Sequence, residues 1–367
     1  MRGDAAAPSV VPPVRLTVVV PAYQCAPMLR ACLDGLVQSD LPRATWELIV
    51  VDDGSTDDTA AVAARAADTV LQVPGGPLGP AHARNVGALA SRGDVLVFVD
   101  ADVRVAPATL RGFAELLAAE PELTAAFGAY DDSPADPGII SRYRNLLHHY
   151  VHVRHAGEAQ TFWAGCGAVR RDAFLRVGGF DAERYRWPQV EDIELGYRLR
   201  DAGGRIRLVP TLTGTHLKRW SLAGMLRSDF HARAVPWMQL LLERRALLSH
   251  GPLNLAPWEK VFTAVAGLAS LFLLAGVLTF STVWLWLAAA CVCVIIAGNV
   301  PLFRFFAARH GWTFALWTVP LRGMFYVVGA LGAVWAVLSG RWLGGQRSVL
   351  QPLQAPVETG TAGEVRA

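Results

Sequence analysis

Four times between Leu16 and Ala119 a short apolar run gives way to a segment whose apolar residues have helical spacing. The runs are LTVVV (16–20), WELIVV (46–51), TVLQV (69–73) and VLVFV (95–99), and the segments cover 27–38, 56–67, 81–91 and 107–119. Runs this short and this uniformly apolar suit strands covered on both faces. Strand and helix in turn predict a mostly parallel sheet with helices on both faces. Ligands of such sheets bind beyond the carboxyl ends of the strands. Here those ends carry PAYQ after the first run, DDGSTDD after the second and DAD after the fourth.

The DAD end makes the hardest demand. VLVFVDADVRV closes a buried run on Asp100 and Asp102, and in extended backbone residues i and i+2 project to the same side. Two carboxylates in one space repel, so either both stand in water on a polar loop or a cation or strong donors lie between them. DDGSTDD taken alone is equally a turn in which Ser55 or Thr56 caps the next helix. No G-x-G-x-x-G follows the first run and no G-x-x-x-x-G-K-[ST] occurs. A dehydrogenase-type dinucleotide fold and a P-loop are therefore unsupported.

Of the 367 residues, 53% are hydrophobic, and the apolar excess lies at one end. VFTAVAGLASLFLLAGVLTF (261–280) is uncharged over the length needed to cross a hydrocarbon core. The run 283–303 is equally clean, and a third run, 321–338, has Arg322 near its start. The expected organisation is a flexible N-terminus (1–14), an α/β domain (15–220), an amphipathic and possible membrane-surface segment (221–258), a membrane region (259–340) with about three spans and a flexible tail (341–367). The amphipathic segment mixes Arg227, Arg233, Arg244 and Arg245 with Leu, Phe and Trp, which suits a solvated core helix equally well. MRGDAAAPSVVPPVR does not read as a secretory signal, and Lys260, Arg304 and Arg309 flank a hairpin in the positive-inside sense. These features predict a multi-pass protein of the inner (plasma) membrane with its α/β domain in the cytoplasm. Five cysteines without a C-x-x-C pair argue against disulfide or metal use. A net charge of +3 without a basic stripe gives no sign of nucleic acid as a partner.

Six motifs in order resemble the family 2 glycosyltransferases of GT-A fold: VVVPAYQ, VVDDGSTDDT, GPAHARNVG, FVDAD, WAGCGAVRRDAFLRVGGFD and VEDIELGYRLRDAGGRI. The resemblance implies a nucleotide-sugar donor lying across the first two strand ends, with Pro21, Ala22, Tyr23 and Asp53 against the base and Arg84 reaching base or diphosphate. It implies a divalent Mn²⁺ or Mg²⁺ ion at Asp100 and Asp102, with Asp100 also serving the donor and His216 in GTHLKRW as a further ligand; a lone His is also a common core residue. Arg104 stands where some relatives carry a third polar ligand. GTHLKRW resembles the Q-x-x-R-W signature of processive polysaccharide synthases with His216 in place of Gln, which weakens a processive reading. Arg219 and Trp220 remain to hold diphosphate and acceptor.

The proton acceptor is sought in QVEDIELGYRLRDAGG. Leu195, Leu199 and Ala202 form an i, i+4, i+7 stripe ending at Gly203 and Gly204, which puts Glu191 and Asp192 in the first helical turn. The helix dipole alone accounts for acids there. The resemblance makes Asp192 the base of an inverting transfer to a lipid-linked or glycan acceptor, with Glu191 orienting it. In WAGCG, Trp163 offers a sugar platform and Gly165 and Gly167 a close approach or a bulge. The rival readings are a nucleotidyltransferase, which would carry a Gly- and Lys-bearing loop, and a non-catalytic membrane scaffold or export subunit, which would have no need of Asp53, Asp100, Asp102 and Asp192 together.

Overall fold

The structure, a computed structural model, describes residues 15–246, 256–340 and 350–354. The expectations for 1–14, and for 341–367 apart from 350–354, lie outside the described residues. In chain order the α/β part contains β1 (Leu16–Ala22), α1 (Ala26–Val37), β2 (Trp46–Asp52), α2 (Thr59–Ala63), β3 (Thr69–Gln72), α3 (Pro80–Ala90), β4 (Val95–Val99), β5 (Val103–Val105) and α4 (Thr109–Ala119). It continues with β6 (Leu123–Tyr130), α5 (Ile139–Arg154), β7 (Gly157–Ala159), β8 (Cys166–Arg170), α6 (Arg171–Arg176), α7 (Glu191–Asp201) and β9 (Arg205–His216).

One sheet runs β3-β2-β1-β4-β8-β6-β9-β5, with β7 on β9. Its first four strands are parallel, whereas β8 is antiparallel to both β4 and β6, and β5 and β7 are antiparallel to β9. The sheet is thus mixed rather than mostly parallel, because the strict strand–helix alternation stops at α4. Side chains of period two divide the core between the faces. Val18, Val20, Leu48, Val50, Val95 and Val97 pack under α1 and α4, while Val19, Ile49, Val51, Leu96 and Phe98 pack under α3, α6 and α7. Each such side chain contributes about 1.5–3 kcal/mol on burial.

The second helix is shorter than the expected 56–67. Ser55, Asp57 and Thr59 accept from the backbone amides of Gln24, Ala26 and Cys25, so these polar side chains tie the two loops at the binding end instead of opening a longer helix.

Beyond β9 come α8 (Leu222–Arg227), a π-helical segment (Ser228–Ala234), α9 (Val235–Glu243), α10 (Pro257–Thr279), α11 (Thr282–Gly298) and α12 (Val300–Leu338). The expected single run 283–303 is divided at Asn299, whose Oδ1 accepts from Arg322 Nε (2.8 Å) and Tyr326 OH (3.2 Å). Arg322 also binds Glu259 at 2.6 Å, so the polar contacts of α10, α11 and α12 meet at one level. Two helices, α10 and α12, are long and apolar enough to cross a membrane, and α11 is a shorter apolar helix of 17 residues. Along the hairpin Leu271, Val277, Leu278, Val283 and Trp286 are exposed, and Phe280 at its tip is 93% exposed.

The last helix is different. Leu302, Phe303 and Phe306 pack against Tyr143, Leu146 and Leu147 of α5. Near its other end a Cβ on Gly332 would lie 2.5 Å from Ala234 Cβ. It starts on α5, breaks at Gly311, where φ is 81°, and then lies beside the π-helical segment and α10, with Ala330 near Gly267 and Gly329 near Thr263. After it, Leu353 N donates to Leu175 O (2.9 Å) and its side chain joins the core face beneath α6.

Candidate active site

The strand ends bring the acids together, but not as a pair. Residues 100–103 turn, with Val103 N donating to Asp100 O at 2.9 Å, so the extended backbone assumed for Asp100 and Asp102 does not hold and each carboxylate takes a different partner. Asp100 Oδ1 accepts from Arg84 Nη2 at 2.6 Å. Burial raises the Asp100 carboxyl above its usual range even though Arg84 pulls the other way. Asp102 Oδ2 instead lies 3.5 Å from His216 Nε2. Burial works against the Asp102 charge, but the His216 bond and the nearby Lys218 outweigh it and hold this carboxyl below the usual range.

His216 is placed by the sheet. It ends β9 opposite Val103 of β5, and its ring stacks on Tyr130 at 4.5 Å. Among the described residues no group of three His, Cys, Asp or Glu side chains converges as a metal cage. Asp102 and His216 form a two-donor pair.

Arg84, expected to reach base or diphosphate, has its guanidinium on two acids. It lies on the buried face of α3 at 4% exposure and bridges Asp100 to Glu191 Oε1 (3.0 Å). The other oxygen of Glu191 accepts from Gln189 N at 2.8 Å. Glu191 is thereby committed on both sides. Its neighbour Asp192, also in the first turn of α7, is only partly buried and accepts from Ala164 N at 3.2 Å. Desolvation and the Glu191 charge push the Asp192 carboxyl up to about 7, against the pull of Arg84.

The segment before β8 joins these groups. Gly165 O accepts from Asp100 N (3.2 Å), one residue after Ala164 binds Asp192. Trp163 folds over Gly165, where a Cβ would stand 2.5 Å from the indole, so only glycine admits that ring. Trp163 also meets Tyr130 edge-on at 4.9 Å and His148 at 4.7 Å. Gly167 packs against Phe162 and the Trp163 carbonyl.

At the other strand ends, Asp53 uses both oxygens on the backbone, accepting from Leu78 N (2.9 Å) and Gly79 N (2.7 Å). A base edge would share oxygens already bonded. Pro21 and Ala22 belong to β1, and of this trio only Tyr23 is exposed. Arg219 is exposed, whereas Trp220 packs on α5, donating its backbone N–H to Ser141 Oγ at 2.8 Å.

Sequence reasoning missed Tyr130 and the histidines of α5. His148 and His152 lie i, i+4 in HHYVH, and that spacing was the available signal. Burial holds His148 well below the usual histidine range and His152 at about 4, so both are neutral. His149 and His152 bond the carbonyls of Tyr130 and Gly128, which the irregular β6–β9 pairing leaves available.

Residues 17–178 match the family model described as glycosyl transferase family 2. A validoxylamine A glucosyltransferase of Streptomyces hygroscopicus is 30% identical over 221 residues, covering 51% of this chain and 52% of the relative. A poly(ribitol-phosphate) beta-N-acetylglucosaminyltransferase of Staphylococcus aureus is 30% identical over 108 residues, 28% of this chain and 19% of the relative. The chain thus spans about half the length of the first relative and a fifth of the second. A mannosyltransferase from Pyrobaculum calidifontis, solved in complex with GDP-Man and Mn²⁺, is 22% identical with a TM-score of 0.54, covering 90% of this chain and 91% of that one. The α/β part has this GT-A-like fold.

Proposed function

We propose, from the match of residues 17–178 to the glycosyl transferase family 2 model, that the chain transfers a sugar, with inversion, from a nucleoside diphosphate sugar to a hydroxyl of a membrane-proximal, lipid-linked or glycan acceptor. One observation carries the reading. Asp192 is held at about 7 within hydrogen-bond reach of Ala164, on the same short segment whose Gly165 carbonyl fixes Asp100. A base poised near neutrality beside a donor-binding strand end is the arrangement that proton abstraction requires.

In the transfer Asp192 takes the hydroxyl proton as the acceptor oxygen bonds to the anomeric carbon. The bond from that carbon to the diphosphate oxygen breaks, and the electron pair leaves with the nucleoside diphosphate. Arg84 keeps Glu191 and Asp100 in place, and Glu191 orients the turn that carries Asp192. Trp163 offers an aromatic surface to a sugar, and Tyr130, stacked on His216, backs it edge-on.

The donor set fits a divalent ion in part. Asp102, a hard carboxylate, and His216, a borderline imidazole, lie 3.5 Å apart and would hold such an ion together with the donor diphosphate. When bound, such an ion neutralises charge gathering on the leaving diphosphate. Asp100 is not needed as a direct ligand in this arrangement, since Arg84 already satisfies it. In calorimetry, Mn²⁺ is expected to tighten UDP or GDP binding, and Asp102→Asn or His216→Ala should shrink that gain roughly tenfold or more. Equal nucleotide affinity with and without Mn²⁺ in the unaltered protein overturns the metal assignment.

The helical hairpin supplies the membrane contact. At 1.5 Å per residue the 23 residues of α10 and the 17 of α11 reach about 34 and 26 Å, and their exposed apolar surface needs lipid to cover it. Beyond α12, residues 350–354 sit on the α/β part, where Leu353 N donates to Leu175 O. In this reading α10 and α11 cross and α12, which starts on α5, stays on the cytoplasmic side; the alternative is the three spans that the sequence suggests. In a Cys291→Ser, Cys293→Ser background, Ser281→Cys should react with an impermeant maleimide from outside intact cells and Ser339→Cys only after permeabilisation. Labelling of Ser339→Cys in intact cells would mean that α12 crosses.

A further inference from the structure

The turn after α6 touches β4, α3 and α7, the elements that place Asp100, Arg84 and Asp192. Gly178 and Gly179 take left-handed backbone, with φ of 85° and 64°, and deliver the fully buried Phe180 into the core. The Phe180 ring meets Phe98 of β4 at 5.2 Å, and the Arg84 guanidinium carbon stands 5.3 Å over its centre. Its backbone clasps Asn85 of α3 in both directions. Phe180 N donates to Asn85 Oδ1 at 2.9 Å, and Asn85 Nδ2 donates to Phe180 O at 2.8 Å. On the α7 side, Arg198 Nη1 donates to Val177 O at 2.5 Å.

A segment from far along the chain lies against this turn. Leu175 O accepts from Gly178 N (3.0 Å) and also from Leu353 N (2.9 Å). The Leu353 side chain packs on the apolar cluster that holds Phe98, Phe174 and Phe180, whereas Gln351, Pro352 and Gln354 are exposed. The fit is close. A Cβ on Gly178 would stand 2.6 Å from Leu350 Cβ and 2.7 Å from the Gln351 carbonyl oxygen, and one on Gly179 would stand 3.0 Å from Leu353 Cδ2. One apolar anchor and one backbone bond make a contact that can open without unfolding the domain.

We propose that residues 350–354 are a positioning strap for the transfer site: with Leu353 seated, the Gly178–Phe180 turn holds Asn85 and Arg84 of α3 in place, and Arg84 in turn holds Asp100 and Glu191. Leu353 touches no reacting group and acts through the turn. When the strap opens, the turn loosens and the Arg84 fork loses its fixed position between the two acids, which it otherwise meets at 2.6 and 3.0 Å. The proposal rests on the transferase reading and adds to it a control element from outside residues 17–178, the part that matches the family model.

The test uses the full chain in detergent, unaltered and as Leu353→Ser and Leu353→Met. Serine removes the anchor without adding charge near the acids, and methionine keeps an apolar side chain of similar volume. Amide hydrogen exchange is read at Gly178, Gly179 and Phe180, and kcat/KM for sugar transfer is read across pH. Leu353→Ser should speed exchange at those amides roughly tenfold or more. Asp192 is raised by burial and by Glu191 and lowered by Arg84, so a loosened Arg84 should move the rising limb of kcat/KM to higher pH. A displacement of about half to one pH unit lowers activity at pH 6 roughly 3- to 10-fold. Leu353→Met should restore both readings. Unchanged exchange at the three amides overturns the proposal, because the strap then holds nothing. Faster exchange with an unmoved pH midpoint overturns it too, because the strap is then structural only; both results leave the transferase reading standing. An unaltered protein that transfers no sugar overturns that reading and the proposal with it.

Discussion

Replacing Asp192 with Asn should lower sugar transfer by roughly 10²- to 10⁴-fold, the usual contribution of general base catalysis. The amide keeps the size of the carboxylate and can still accept from Ala164 N, so the segment carrying Trp163 and Gly165 should stay in place. Nucleotide affinity should hardly change, because Asp192 is bonded to the Ala164 backbone while the metal and donor diphosphate are assigned to Asp102 and His216. The pH profile adds a second reading. A carboxyl raised to about 7 is protonated and unable to accept a proton below that pH, so kcat/KM of the unaltered enzyme should climb tenfold per pH unit up to about 7 and then level. The Asn variant should lose this limb. A variant that transfers sugar at close to the normal rate would refute the base assignment, and one that has lost nucleotide affinity would move Asp192 to the donor side.

How far these groups could be read in advance depends on how local their causes are. The parallel strands were legible because β1, β2 and β4 are buried on both faces and show it as unbroken apolar runs, and α7 was legible because its stripe and the Gly203 stop are local. The insertion of β8 between β4 and β6 was not, since the choice of neighbour is settled by packing far along the chain. The same limit applies to the acids. Asp100 and Asp102 were read as a pair from an assumed extended backbone, but a turn separates their partners, and those partners, Arg84 and His216, come from α3 and β9. Arg233 looked like any basic residue of an amphipathic segment. The segment that carries it is tied to α5 by the Asp229–Arg144 pair and to α12 by Ala234 against Gly332, contacts that composition does not reveal.

The largest effect on stability should come from Arg84. Its guanidinium joins Asp100 at 2.6 Å and Glu191 at 3.0 Å, with both Arg84 and Glu191 nearly out of water. Arg84→Met fills similar volume without charge and leaves the two acids unpartnered at the core edge. Breaking a buried ion pair from one side costs about 3–5 kcal/mol. The protein should respond by protonating an acid, so the variant should be most destabilised at high pH and recover part of its thermal stability as pH falls. Asp192 reports the same loss through catalysis. Burial and Glu191 raise its carboxyl while Arg84 lowers it, and a cation favours the ionised form of an acid, so removing Arg84 must raise that carboxyl further. The rising limb of kcat/KM should therefore move to higher pH than in the unaltered enzyme, with less activity at pH 7 and a partial return at pH 9. Arg84→Lys keeps the charge but not the two-pronged contact, so its pH midpoint should stay near the original while stability falls by a smaller amount. Thermal unfolding across pH, set beside the pH–rate profile of each variant, separates these effects. A midpoint for Arg84→Met that does not move, in a protein that still folds, would mean that the guanidinium holds the acids in position without setting the charge state of Asp192.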